Sequence, residues 1–259
     1  MAAAPSIAEL RAATQPPSIF ARHSGEHWVG RLYMRRLSPY LTRLLLHTRL
    51  TPDAVTWLML ALGPVAAAVL TLPGLPPAIG VVLIVQLQLL LDCCDGEMAR
   101  WRGVSSPTGI FVDRLAHNVT EAALPIALGI RADGGWDDIG GYTSLGLLTA
   151  VLVLLLRMSS ALIYVARAES GLGVAEDTAA VAAPRVGWLA WLRHMVGYAP
   201  VYREFLAIEF SFLALLAAIW DAAAGDLSGT RALVVVLVPI GVFTVAGRLA
   251  AVITSARLR

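Results

Sequence analysis

Six stretches of this sequence, at roughly 54–72, 78–99, 108–130, 142–166, 204–223 and 232–254, are long and apolar enough to span a bilayer, for which about 20 helical residues are needed. The breaks between them carry turn chemistry: Pro73-Gly74-Leu75-Pro76-Pro77, Gly103 to Pro107, Gly134-Gly135, the Gly- and Pro-bearing stretch 170–200, and Gly225 to Gly229. No other feature limits the fold as tightly. The expectation is an all-α polytopic membrane protein with six transmembrane helices. Composition agrees, with 58% hydrophobic residues, 15% charged and a mean hydropathy of +0.71, where a soluble domain of this length would carry about a quarter charged residues.

Several function classes fall away. The net charge is only +2, all 20 basic residues are Arg, and they form no soluble basic stripe, so nucleic acid is not an expected partner. Cys93 and Cys94 are adjacent, a spacing that strains a disulfide, and read as small helix-packing residues. Residues 1–30 are polar and hold no uninterrupted apolar core of a secretory signal.

Arginine placement gives orientation. With a cytoplasmic N-terminus, the inside segments 1–53, 100–107, 167–203 and the C-terminal tail hold 15 arginines, against Arg131 and Arg231 outside. That bias places a multi-pass protein in the cell membrane with its N-terminus in the cytoplasm. Residues 1–25 read as a disordered arm. Residues 26–50 read as a juxtamembrane amphipathic helix lying in the interface, with Trp28, Leu32, Tyr33, Leu37, Tyr40, Leu41, Leu44 and Leu45 at helical spacing among Arg31, Arg35, Arg36 and Arg43, broken or kinked at Pro39. Residues 51–259 form the six-helix domain.

Charge within a membrane span is costly and usually functional. Here it concentrates in Asp92-Cys93-Cys94-Asp95-Gly96-Glu97-Met98-Ala99-Arg100 and in Gly109-Ile110-Phe111-Val112-Asp113-Arg114-Leu115-Ala116-His117. Asp92 and Asp95 share one helix face, Asp113 and His117 another. The turn between the two spans centres near residue 104, so at about 1.5 Å rise per residue Asp95 matches Asp113 in depth, and Asp92 matches His117. Three carboxylates facing one imidazole invite a divalent cation, with Mg2+ or Mn2+ preferred by oxygen ligands and one or two ions expected. Gly96 and Ala99 keep the helix face flat for a ligand, and Arg100 offers a fork to phosphate oxygens. A carboxylate-lined ion pathway, or ion pairs of Asp113 with Arg100 or Arg114, is the alternative reading of the same residues.

The segment 92–117 resembles the signature of the CDP-alcohol phosphotransferase (CDP-alcohol phosphatidyltransferase) family, D-x2-D-G-x2-A-R-x8-G-x3-D-x3-D, at every position but the last. Leu50-Thr51-Pro52-Asp53-Ala54-Val55-Thr56 is similar to the family's T-P-N-x-x-T start of the first span, with Asp53 in place of Asn. The resemblance implies that Asp92, Asp95 and Asp113 bind metal and the CDP diphosphate, and that Gly96, Ala99, Arg100, Gly109, Thr51 and Asp53 line the nucleotide site. It also implies that an acceptor hydroxyl attacks the β-phosphorus and CMP leaves, and that the protein is a homodimer.

His117 stands where the family carries a fourth Asp, a metal ligand and the expected base. Neutral imidazole takes protons near pH 7, and Glu121, one turn on, could orient it. Three readings follow: His117 as working base and metal ligand, alongside Asp113 in the catalytic set; a site that binds CDP-alcohol and metal without turnover; or an incidental change. Arg157 in the fourth span is the leading candidate for binding an anionic acceptor, with Arg203 and Arg248 behind it. The function these residues imply is transfer of a phosphoalcohol, in first place a phosphatidyl group from CDP-diacylglycerol, to a polyol or polyol-phosphate acceptor in phospholipid biosynthesis. Soluble phosphodiester synthesis from a CDP-polyol, a catalytically impaired CDP- or lipid-binding protein and, more distantly, a transporter are the alternatives.

Overall fold

The structure, a computed structural model, describes residues 5–16, 28–173, 205–254 and 258. Its helices are α1 (Ile7–Thr14), α2 (Arg35–Leu46), α3 (Pro52–Leu70), α4 (Leu75–Arg102), α5 (Pro107–Asp133), α6 (Gly141–Glu169), α7 (Ala207–Ala224) and α8 (Ser228–Thr254), and no strand occurs among the described residues. The protein is an all-α polytopic membrane protein. α3, α4, α6, α7 and α8 are long and apolar enough to cross a membrane. The expected sixth span, α5, is 27 residues long, so length is not its shortfall; Asp113, Arg114, His117 and Glu121 dilute its apolar run.

Turn chemistry explains where the helices stop and start. Thr51 and Ser106 each precede a proline at the first helical position, where the missing N–H costs nothing. Each hydroxyl accepts from a main-chain N–H three residues on, Ala54 at 3.1 Å and Gly109 at 3.1 Å, a cap worth about 1 kcal/mol. α4 closes on Gly103, whose φ of 64° is open to glycine, with Gly103 N bonded to the Arg100 carbonyl and Val104 N to the Ala99 carbonyl. Gly134 ends α5 in the same way.

The chain divides into two compact units, Met1–Ala66 with Leu83–Thr120, and Ala67–Val82 with Glu121–Arg259. In the first, Val55, Leu91 and Met98 form a core lined by Leu41, Leu45, Leu46 and Leu62. Gln88 crosses it, donating to the Met59 carbonyl and to Thr120 Oγ1. In the second, contact is made through small residues. α6 buries Thr143, Gly146, Thr149 and Ala150 while Leu147, Leu148, Val151 and Leu155 point outward, the arrangement expected of helices solvated by lipid and packed through small side chains. Arg131 of this unit is buried and donates to the Leu72 and Gly74 carbonyls, both at 2.8 Å.

Two N-terminal expectations are corrected. The disorder expected over 1–25 does not extend to residues 5–16. There Ser6 and Glu9 form a reciprocal capping box that starts α1, and the Ser6 N–H holds the Glu9 carboxyl below its usual range. The break expected at Pro39 is also absent, because α2 runs through it. The irregularity lies one turn earlier, in a wide π turn over Gly30–Met34. Pro39 cannot donate to the Arg35 carbonyl, and Gln15 Nε2 donates to that carbonyl instead, at 2.9 Å. Along α2, Leu37, Tyr40 and Leu44 are exposed, Ser38 and Thr42 are buried, and Leu41 and Leu45 of the expected apolar stripe pack inward against the core.

Candidate functional site

Within the first unit, the facing turns of α4 and α5 bring Asp92, Asp113 and His117 together. His117 Nε2 lies 3.5 Å from Asp92 Oδ1 and 3.5 Å from Asp113 Oδ1, beyond an ordinary hydrogen bond. One ligand atom from each of the three falls within 4.8 Å of the others, a group that could hold a metal ion. The side chains are partly open, between 29% and 39% exposed. Asp113 Oδ1 is nevertheless buried and makes no hydrogen bond among the described residues. A buried carboxylate oxygen facing a second carboxylate and an imidazole is a donor set that suits a divalent cation.

Asp95, one turn along α4 from Asp92, has a partner of its own. It is buried, and its Oδ2 accepts from Thr56 Oγ1 at 2.7 Å. Thr56 is the final Thr of the Thr51-to-Thr56 segment, so that segment's hydroxyls have separate tasks, Thr51 capping α3 and Thr56 steadying Asp95. Asp53 accepts from Ser106 Oγ at 2.8 Å, and a Cβ built on Gly109 would stand 2.6 Å from Asp53 Oδ1. Glycine at 109 is what lets the start of α5 close on α3.

Arg100 folds back over its own helix. A Cβ at Gly96 would lie 3.1 Å from Arg100 Nη1 and 3.3 Å from Nη2. The flat face provided by Gly96 is thus the seat of the guanidinium, while Ala99 takes part in the turn through its carbonyl.

Glu97 was not singled out by the sequence, yet it organises the approach to the site. It sits about 140° round the helix from Asp92, fully buried, and accepts from Ser38 Oγ at 2.5 Å, Thr42 Oγ1 at 2.7 Å and Gln15 Nε2 at 2.8 Å, with Arg35 Nη1 at 3.9 Å. A buried carboxylate needs such partners, since each lost one costs about 1.5–3 kcal/mol. The available signal was Ser38 and Thr42, four apart on an otherwise apolar-and-basic helix.

Arg157 belongs to the second unit and forks Glu121 there, with Nε on Oε2 and Nη2 on Oε1. Both Glu121 oxygens are therefore engaged by Arg157. Arg248 donates to Ser160 Oγ at 2.9 Å. Arg203 lies outside the described residues.

Two comparisons bear on these residues. Residues 49–256 match the profile of the CDP-alcohol phosphatidyltransferase family. A "Bifunctional IPC transferase and DIPP synthase" of Rubrobacter xylanophilus (strain DSM 9941 / JCM 11954 / NBRC 16129 / PRD-1) is 33% identical over 133 residues, which is 51% of this chain and 30% of that protein's length. The match thus spans less than a third of the relative.

Proposed function

The chain belongs to the CDP-alcohol phosphatidyltransferase family, and on that premise we propose that it transfers a phosphatidyl group from CDP-diacylglycerol to a hydroxyl of a polyol phosphate, releasing CMP. The observation that supports this best is the convergence of Asp92 and Asp113, from two helices, on His117 Nε2. These three residues would hold Mg2+ or Mn2+, as one or two ions, with Asp95 joining through the carboxylate that Thr56 steadies. A bound divalent ion offsets the charge of the diphosphate and polarises its phosphorus. Arg100 engages the diphosphate oxygens, and Gly109, Asp53 and Thr51 shape the wall beside the nucleotide. The acceptor oxygen bonds to the β-phosphorus, the bond from that phosphorus to the CMP oxygen breaks, and His117 takes the acceptor's proton. Arg157 and Arg203 are the candidates for the acceptor's anionic group. The site faces the cytoplasm, and the working form is a homodimer.

The test is CMP formation by purified protein from a panel of donors, CDP-diacylglycerol and CDP-polyols, against inositol phosphate, glycerol 3-phosphate and serine. The expected result is CMP release with CDP-diacylglycerol and a polyol phosphate, stopped by EDTA and restored by Mn2+ or Mg2+. Release only from a CDP-polyol would overturn the lipid assignment, and release unaffected by EDTA would overturn the metal one. A second reading, binding without turnover, is favoured by one observation: His117 replaces the Asp of the family pattern. CDP binding in calorimetry with no CMP from any pair would establish it.

A further inference from the structure

The N-terminal helix is built into the wall of the nucleotide site. Arg100 Nε donates to the main-chain carbonyl of Thr14 at 2.6 Å, and Thr14, the last residue of α1, is fully buried. The next residue, Gln15, donates through Nε2 both to Glu97 Oε1 at 2.8 Å and to the Arg35 carbonyl at 2.9 Å. That carbonyl is available because Pro39 has no N–H to give it. Arg11 Nη2 adds a bond to the Arg36 carbonyl at 3.0 Å, and Leu10 is fully buried. Side chains α1 could leave in solvent are thus committed to α2 and to the helix that carries the signature.

The chemistry of Arg100 gives this docking a use. An arginine meets a phosphate best through a planar fork, and fixing that fork in one rotamer costs conformational entropy. Here Nε is bound to a main-chain carbonyl, the plane lies on Gly96, and Nη1 and Nη2 make no hydrogen bond among the described residues. The Thr14 carbonyl holds the guanidinium by its stem and leaves its two outer donors to a ligand. Resting on the reading that Arg100 binds the donor's diphosphate, we propose that residues 6–15 are a strap that positions Arg100, with Gln15 the positioning residue that keeps the strap seated. The N-terminal helix then sets the affinity for the CDP-alcohol without touching it.

The test measures CDP affinity by titration calorimetry in Mn2+ on the full chain and on Gln15→Ala, Arg100→Ala, the two combined, and a Ser6→Ala/Glu9→Ala variant that loosens α1 from its exposed far end. Melting temperatures and the KM values for donor and acceptor accompany each. Gln15→Ala is expected to weaken CDP by about tenfold, through lost preorganisation, and to raise the donor KM with little change in acceptor KM, alongside the fall in melting temperature that loss of a Glu97 partner brings. Adding it to Arg100→Ala should cost nothing more, because the effect runs through Arg100. The capping variant should shift CDP affinity in the same direction by less. Unchanged CDP affinity in Gln15→Ala, or a loss that adds in full to that of Arg100→Ala, overturns the strap. Tighter CDP binding would mean that α1 is an obstructing lid, and overturns it too. If Arg100→Ala binds CDP as the parent protein does, the nucleotide role of Arg100 fails and the strap with it. If Arg100→Ala weakens CDP and Gln15→Ala does not, only the strap fails.

Discussion

His117 is the residue on which the proposed chemistry turns. Its Nε2 is equidistant from two carboxylate oxygens on different helices, so its ring occupies the position that the family pattern gives to Asp. A positioned proton acceptor contributes about 10²–10⁴-fold to a rate. His117→Ala is therefore expected to lower kcat by that order while CDP affinity changes by only a few-fold, read from CMP formation and calorimetry on the same preparation. His117→Asp, which completes the family pattern, should retain turnover and bind Mg2+ more tightly, since a third carboxylate then joins Asp92 and Asp113. Full activity in His117→Ala would remove the base assignment. The pairing of Asp92 with His117 was legible in the sequence because the helical rise alone sets depth on either side of a short turn. The Thr56 partner of Asp95 was not, because depth-matching compared α4 with α5 alone and Thr56 comes from α3. Depth says which residues share a level, and rotation about the helix axis, set by packing, says which of them meet.

At the scale of elements, the apolar runs and the Gly/Pro breaks were enough to place the long helices, and α3, α4, α5, α6 and α8 start ahead of their apolar segments because their N-terminal turns lie in less apolar sequence. Ser106-Pro107 and Thr51-Pro52 are examples. What the sequence did not disclose is docking that depends on a vacancy in another helix. Gln15 binds the Arg35 carbonyl because Pro39 leaves it free, a relation between residues 20 and more apart with no periodic trace. Close approach of α5 and α6 is another such relation. A Cβ on Gly129 would stand 2.8 Å from Thr143 Cα and 2.5 Å from the Tyr142 carbonyl oxygen, whereas one on Gly247 would meet nothing within 4 Å. The first clash is against backbone and cannot be relieved by a rotamer. Gly129→Ala is thus expected to destabilise the protein by about 1–3 kcal/mol, and Gly247→Ala to change stability by less than about 0.5 kcal/mol in either direction. Thermal unfolding in detergent checks both, and equal melting temperatures for the two would show that the helices separate without cost.

For the molecule as a whole, the open matter of topology is set by α5. Among the described residues five helices qualify as spans by length and composition, while α5 carries the polar half of the candidate site and is diluted by it. If α5 crosses, its ends lie on opposite sides, and the spans among the described residues number six with it. The arginine distribution argues for this: 15 arginines fall on one side and two on the other only if α5 is counted as a span. Without it, the segments after α5 exchange sides and the bias shrinks to 11 against six. The polar residues do not prevent a crossing, because Asp113 and His117 face Asp92 of a neighbouring helix, and pairing between helices is how intramembrane charge is tolerated. Single cysteines decide the matter, since Cys93 and Cys94 are buried and form a quiet background. Val104→Cys and Asp137→Cys place exposed thiols just before and just after α5. A membrane-impermeant maleimide is expected to label Asp137→Cys in intact cells and Val104→Cys only after permeabilisation. Labelling of both from the same side would mean that α5 does not cross, and the reverse pattern would put the site on the outer face.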